Sequence, residues 1–266
     1  MSTTNRPGII KLPGLYNVRD LGGMPAGGER KIAPDRLYRA ELLMPSALEK
    51  DSQKEHEYFA PFRKLGIRTI VDLRSSREVS HSPSAWQAAT GAERTIAIPI
   101  DDGNEGSDRD YVGMLLGGQL KKFDADDMAD HYIQVLEARA KTFVEALTAV
   151  AHGAPALVHC TEGKDRTGLL IALILGALGA PPAEIVKDYQ LSDILRPDRA
   201  LSYSARFSAA GVAFENYRVL YEAPEQAMQR ALQYLEDAYG GTGAYLRLQG
   251  GLNAATLAQL QSTLLI

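Results

Sequence analysis

The chain of 266 residues contains a single cysteine, which rules out an intramolecular disulfide framework and any cysteine-rich zinc site. It has no strong charge of either sign. Its 29 Lys+Arg against 33 Asp+Glu leave a formal net charge of −4. That offers no global attraction to nucleic acid or anionic lipid, though a local basic patch is compatible with it. There is no long hydrophobic run. The most apolar stretch, Gly168 to Ala180, is shorter than the roughly 20 residues of a membrane span and reads as a buried core helix. Met1 to Lys11 is polar, holds a Pro-Gly pair and lacks the apolar stretch of a signal peptide. The default expectation is a cytoplasmic protein, and a leaderless export route would leave no sequence trace. No fixed-period repeat, low-complexity block or long linker divides the chain. A single domain over 1–266 is expected, with about 101–127 as a lid insertion.

What is present suffices for a packed core: 45% of residues are apolar. Asn17 to Glu41 is dense in turn formers and suits short strands or loops. Ala47 to Leu65 reads as a helix ending before Gly66. Ile67–Leu73 and Arg94–Ile100 read as strands, the second with Pro99 near its end. Asp101 to Asp127 carries seven Asp and a weak apolar cluster, Tyr111 to Leu116, which fits either core or a lid. Leu136, Ala140, Phe143, Val144, Leu147 and Val150 fall at helical spacing within about 128–151. Ala156–His159 is a short strand. Helices follow over Thr167 to about Leu178, Ala183–Leu195, Pro224–Tyr239 and about Asn253–Leu265. Strands alternating with helices, then helices alone, predict an α/β fold with a central, mostly parallel sheet flanked by helices.

The informative stretch is His159-Cys160-Thr161-Glu162-Gly163-Lys164-Asp165-Arg166-Thr167-Gly168. A strand ends at a cysteine, a short loop with a glycine follows, and a helix starts. Successive backbone N–H groups in such a loop, at the positive end of a helix, make an anion cradle. The thiolate is the reactive form of cysteine, and helix N-termini with neighbouring cations favour it. Cys160 therefore sits where a nucleophile and a tetrahedral oxyanion would meet. Arg166 adds a planar fork that can hold two phosphate oxygens at once.

The pattern H-C-x-x-G-x-x-R-T-G resembles the phosphate loop of cysteine-dependent phosphatases. The fuller form HCxxGKDRTG is similar to the bacterial atypical tyrosine and lipid phosphatases, a group with secreted members in mycobacteria and Listeria. The likeness extends to Asn17–Gly23 (NVRDLGG), Leu37–Ala40 (LYRA), Val71–Ser75 (VDLRS) and the stretch from Tyr239-Gly240 through Gly251-Leu252. It thus spans nearly the whole chain, departing at Ala40, where the family commonly has Ser. The resemblance implies hydrolysis of a phosphomonoester in two steps, without metal or other cofactor. Cys160 would attack phosphorus, and water would then hydrolyse the phosphocysteine. Arg166 and the amides of Thr161, Glu162, Gly163 and Lys164 would hold the equatorial oxygens. Thr167 would hydrogen-bond the sulfur, and His159 would orient the loop. Substrates would be phosphotyrosine protein and, since Asp165-Arg166-Thr167 resembles loops of myotubularin-type lipid phosphatases, phosphoinositides or phosphoserine/threonine.

Several assignments keep two readings. Asp165 fits a helix-capping residue and also the general acid to which the family likeness points. The rival acids are Asp101, Asp102, Asp108 and Asp110, on the upstream segment. Lys164 fits a solvated charge and also a rim cation for the extra phosphates of an inositol ring. Arg19, Asp20, Arg39, Asp72 and Arg74 read as charges that hold the loop in place, with Arg19 and Asp72 the stronger candidates for substrate contact. His56, His81, His131 and His152 show no metal spacing and read as surface or core residues. Two other functional classes compete. A non-catalytic phosphate-binding module would usually have lost Cys160 or Arg166. A rhodanese-like sulfurtransferase gives no reason for Arg166-Thr167-Gly168. A P-loop nucleotide hydrolase is excluded, because no G-x-x-x-x-G-K-[ST] occurs.

Overall fold

The computed structural model describes residues 8–45, 52–100 and 110–266. In chain order these form β1 (Arg19–Asp20), β2 (Leu37–Ala40), α1 (Ser52–Arg63), β3 (Thr69–Asp72), α2 (Ser76–His81), α3 (Trp86–Thr90), β4 (Arg94–Ala97), α4 (Tyr111–Leu116), α5 (Ala125–Gly153), β5 (Ala156–His159), α6 (Asp165–Ala177), α7 (Pro182–Ile194), α8 (Ser204–Ala209), α9 (Glu225–Tyr239), α10 (Thr242–Leu248) and α11 (Ala254–Leu264), with short 3-10 turns between α7 and α9. The sheet order is β1-β2-β5-β3-β4. β1 runs antiparallel to β2, and the other pairs are parallel. This is the expected α/β architecture.

Every residue of β2, β3 and β5 is buried. A parallel sheet covered by helices on both faces buries its strands continuously rather than on alternate residues, and the polar exceptions here are Arg39, Thr69, Asp72 and His159. One face packs on α5, α6 and the C-terminal helices through residues such as Val158, Val71, Phe143 and Leu170. The other packs on α1 and α3 through Phe59, Phe62, Trp86, Ile70 and Leu157. Each large apolar side chain so buried contributes about 1.5–3 kcal/mol. Helix α6 is buried at every position from Arg166 to Leu175, which explains a run apolar on all sides. β4 stops at Ala97 although the apolar run continues to Ile100. It is a largely exposed edge strand, beyond which the Ile98 and Ile100 amides still donate to the carbonyls of Asp72 at 2.9 Å and Leu73 at 3.1 Å. The helix expected over 47–65 is α1, and residues 46–51 lie outside the described set.

The register places Ala40, Asp72 and His159 side by side at the carboxyl ends of β2, β3 and β5. In an open α/β sheet the crevice beyond these ends is where ligands bind. Cys160 leaves the sheet at that point, between the chain segments that follow β2 and β3.

Candidate active site

Cys160 to Lys164 connect β5 to α6, and their carbonyls all face the body of the protein. Cys160 O accepts from His159 Nδ1 at 3.0 Å. Thr161 O accepts from the Leu42 amide at 3.0 Å, and Glu162 O from Asn17 Nδ2 at 3.0 Å. Gly163 O accepts from Arg39 Nη2 at 2.7 Å, and Lys164 O from the Gly168 amide at 2.8 Å. In a trans peptide the N–H points opposite to the C=O. Five outward carbonyls therefore turn the amides of 161–165 toward the inside of the loop. Among the described residues, no protein acceptor takes the amides of Thr161, Glu162, Gly163 or Lys164. Gly163 makes the reversal possible. Its φ is +66°, and a Cβ there would lie 2.4 Å from Ala40 O, so any side chain would drive the loop off β2.

Cys160 is buried and free and lines a cavity of about 360 Å³ together with Arg166, Thr161 and Asp165. Arg166 is held there by Glu78 of α2, a residue with no role in the sequence reading. Arg166 Nη1 and Nη2 donate to the two Glu78 oxygens at 2.6 and 2.7 Å, and the Thr161 hydroxyl donates to Glu78 Oε1 at 2.6 Å. Burial pushes the Glu78 carboxyl up, but the Arg166 fork, the Thr161 hydroxyl and the Ser75 amide outweigh it and hold the group at about 2. The available sequence signal was the S-x-x-E spacing of Ser75 and Glu78, a capping box that the structure contains. It predicts the start of α2, not the contact with Arg166.

Asp165 is 24% exposed in its side chain, and its Oδ1 accepts from the Tyr132 hydroxyl at 2.6 Å. The Lys164 ammonium lies 3.3 Å from the same oxygen. Lys164 is not at the rim, as a solvated charge or a contact for extra phosphates would need to be. It is 3% exposed, and its ammonium donates to the carbonyls of Leu220 at 2.8 Å and Glu222 at 2.6 Å. A buried ammonium needs acceptors, and that chain segment supplies them. The Glu162 carboxylate likewise turns away, onto Arg196 at 2.9 Å and Arg199 Nε at 2.8 Å, leaving only its backbone to the cradle. The Thr167 hydroxyl is buried and makes no hydrogen bond among the described residues, so the expected bond to the sulfur is not formed.

Arg19 and Asp72, the stronger candidates for substrate contact in that charge group, do not line the cavity. Arg19 Nε and Arg39 Nη1 share the Asp188 carboxylate at 2.7 and 2.5 Å. All three are buried. Burial and the proximity of Arg39 bring Arg19 down to about 10. Burial raises the Asp188 carboxyl, but the two guanidiniums outweigh it and keep the group below its usual range. Asp72 is clasped by Arg74, with Nη2–Oδ2 at 2.7 Å and Nε–Oδ1 at 2.9 Å. Its carboxyl is also held below the usual range, the Arg74 bonds and His159 outweighing burial. Burial lowers His159 below the ordinary imidazole value, so the ring is neutral at pH 7. Its Nδ1–H then orients the loop through the Cys160 carbonyl. Arg74 does line the cavity.

The rest of the wall combines four aromatic residues, Tyr111 of α4, Phe123, Tyr203 and Tyr221, with aliphatic ones such as Leu42, Val112, Met128 and Leu220, and Tyr203 and Tyr221 stack at 4.1 Å. His81 and His131 also line it, rather than serving only as surface or core residues. Of the upstream acids, Asp110 lines the cavity and accepts from the Gly113 amide at 2.7 Å. Asp101, Asp102 and Asp108 lie outside the described residues. No group of three or more His, Cys, Asp or Glu forms a metal-ligand set among the described residues. Nor is any described helix long and apolar enough to cross a membrane.

A cysteine and an arginine at the two ends of an inward-facing amide ring, on the carboxyl edge of a parallel sheet, make a cradle suited to an anion. Residues 10–266 match the tyrosine phosphatase family, and the chain belongs to that family. The chain is 26% identical to the triple specificity protein phosphatase PtpB of Mycobacterium tuberculosis, covering 97% of this chain and 99% of that protein. It is 28% identical to a Cupriavidus necator protein named as a tyrosine-protein phosphatase, over 88% of this chain and 81% of the other. Among solved structures, P. aeruginosa TpbA aligns over 83% of this chain and 99% of its own, at TM-score 0.37 and 16% identity.

Proposed function

We propose that this single-domain enzyme hydrolyses phosphomonoesters through a phosphocysteine, with phosphotyrosine protein as its main substrate class. The observation that carries the reading is the orientation of the loop. Five carbonyls are tied outward, which turns the amides of 161–165 toward the inside of the loop that begins at Cys160. A phosphate seated there meets the positive end of α6 and the Arg166 fork, which together supply the charge that a metal would otherwise bring. Cys160 Sγ forms the S–P bond as the ester P–O bond breaks, and Asp165 protonates the departing oxygen. Water then attacks phosphorus, returns a proton to Asp165 and releases the thiolate.

The aromatic residues in the wall of the 360 Å³ cavity suit a phenyl ring. The triple specificity named for the mycobacterial relative supports a wider range that includes phosphoserine/threonine and phosphoinositides. The α4 segment would act as a lid over this cavity. The test is phosphate release from p-nitrophenyl phosphate in EDTA, followed by a panel of phosphotyrosine, phosphoserine and phosphoinositide substrates. Turnover should persist in EDTA and vanish in Cys160→Ser. More than a few per cent of activity in Cys160→Ser, or loss in EDTA, would overturn the mechanism.

A further inference from the structure

Two buried tyrosine hydroxyls stand behind Asp165 and take no part in the mechanism so far. Tyr132 of α5 donates to Asp165 Oδ1 at 2.6 Å. The same hydroxyl lies 2.8 Å from the hydroxyl of Tyr189 of α7. Having given its proton to the carboxylate, the Tyr132 oxygen accepts from Tyr189, so the direction of the chain is set: Tyr189 to Tyr132 to Asp165. Burial, reinforced by the Asp165 charge, pushes both phenols well above their ordinary value, so both remain neutral donors at any working pH. Neither lines the cavity, whereas Asp165 does.

The two oxygens of Asp165 are thereby made unequal. Oδ1 meets the Tyr132 hydroxyl and, at 3.3 Å, the Lys164 ammonium. Oδ2 has no protein donor among the described residues. A proton on Oδ1 would face the Lys164 ammonium, which can only donate, and would require the Tyr132 and Tyr189 hydroxyls to reverse their bonds. We propose that Tyr132 and Tyr189 are positioning residues for the general acid, reserving Oδ1 as acceptor so that the transferable proton of Asp165 resides on Oδ2. This rests on the assignment of Asp165 as acid made above. As the P–O bond breaks, the Oδ2 proton passes to the leaving oxygen. The charge left on the carboxylate is met at once by the Tyr132 hydrogen bond, already in place and needing no reorganisation. Hydrogen bonds in such a chain polarise one another, so Tyr189 strengthens the donor that touches Asp165.

The experiment compares pH–rate profiles for phenyl phosphate, a poor leaving group, and p-nitrophenyl phosphate, a good one. The enzymes are wild type, Tyr132→Phe, the Tyr132→Phe/Tyr189→Phe double variant, Asp165→Asn and Tyr132→Phe/Asp165→Asn. The double variant removes both hydroxyls, so it leaves neither unpaired and guards against a folding artefact. Among the described residues, the charged and titratable groups that share the cavity with Asp165 are Cys160, Glu162 and Arg166 of its own loop and helix, His131 of α5, and Arg74, Glu78, His81, Asp110, Tyr111, Tyr203, Arg206 and Tyr221, with the Lys164 ammonium 3.3 Å from its Oδ1. All persist in the phenylalanine variants, so the difference reports the hydroxyl. Tyr132→Phe should lower kcat for phenyl phosphate about tenfold, the scale of one hydrogen bond to a charged group, and barely change it for p-nitrophenyl phosphate. A bond donated to a carboxylate favours its ionised form, so removing it should move the basic limb to higher pH. Tyr132→Phe should add nothing in the Asp165→Asn background. Equal losses on both substrates with an unmoved basic limb would reduce the tyrosines to packing and overturn the proposal. If Asp165→Asn treats the two leaving groups alike, the acid assignment fails and the proposal falls with it. If Asp165→Asn discriminates between them and Tyr132→Phe does not, the tyrosine pair alone is refuted.

Discussion

Two arginine–carboxylate clamps grip the catalytic loop, one from the sheet side and one from the cavity side. On the sheet side Arg19 and Arg39 share Asp188, and no side chain of the three is more than 5% exposed. Arg39 spends its other Nη group on the Gly163 carbonyl. On the cavity side Arg166 meets Glu78, whose side chain is 24% exposed. The bonding is alike: charged nitrogen to carboxylate oxygen, at 2.5–2.7 Å in both clamps. What separates them is access. A guanidinium whose contacts are protein groups sealed from the cavity can only hold shape. One that lines the cavity beside Cys160 has five N–H donors on a planar fork, of which Glu78 takes two. Pairing and burial therefore mark both clamps, Arg166 itself being only 4% exposed, and it is the place on the cavity wall that tells them apart.

The sharpest way to break the comparison is to spoil each clamp in turn. Arg166→Lys keeps the charge and loses the fork, and kcat should fall roughly 10²–10³-fold with little change in melting temperature. Asp188→Asn should do the opposite. It leaves two buried guanidiniums without a counter-charge, at a cost of about 3–5 kcal/mol in stability, measured by denaturant unfolding. The folded fraction should keep turnover near wild type. If Asp188→Asn were stable but inactive, or Arg166→Lys unfolded but active, the division between the clamps would be wrong.

Glu78→Gln sharpens the distinction further. It leaves the cradle amides alone but loosens the fork, so kcat should drop about tenfold. Its pH signature has a definite sign. Glu78 is held at about 2 in the folded protein, against an ordinary value of roughly 4.3. Its contribution to stability is therefore full above the unfolded value and is lost as pH falls from there toward 2. Asp72, Asp188 and neutral His159 carry the same sign, His159 beginning at higher pH. Melting temperature should thus decline on acidification in wild type, and less steeply in Glu78→Gln below the ordinary carboxylate range.

The smallest effect belongs to Lys164→Met. Because the ammonium is spent on the Leu220 and Glu222 carbonyls, the loss should be a few-fold, about one hydrogen-bonded contact. It should be equal on phosphotyrosine and phosphoinositide substrates. A selective rise in KM for the lipid would restore Lys164 to the substrate.

The pattern of what could be read in advance follows from sequence distance. Cys160, Arg166 and the strand–loop–helix around them are local, and Ala156–His159 is the strand that its apolar run suggests. Helix α6 was legible because an apolar run of its length, closed by Gly179 and two prolines, has few alternatives. The partners are remote. Glu78 meets Arg166 across 88 residues, and Asp188 meets Arg39 across 149. No periodicity encodes either pairing. Lys164 misled because a lysine beside an anion loop reads as a ligand until the carbonyls of 220 and 222 arrive to bury it. Tyr132 lies within the helix expected over about 128–151 but had no role in the sequence reading, since nothing local tells a buried hydroxyl from a buried ring.

The central claim, that the inward amides and Arg166 serve a covalent step at Cys160, is tested most directly by trapping that step. The enzyme is mixed with a phosphotyrosine peptide, quenched in acid within the first turnover, digested and mapped by mass spectrometry. The account predicts one phosphoryl group on the peptide bearing Cys160, carried on sulfur, and none in Cys160→Ser. A phosphoryl group on any other residue, or turnover in Cys160→Ser with no phosphoenzyme in either protein, would contradict it.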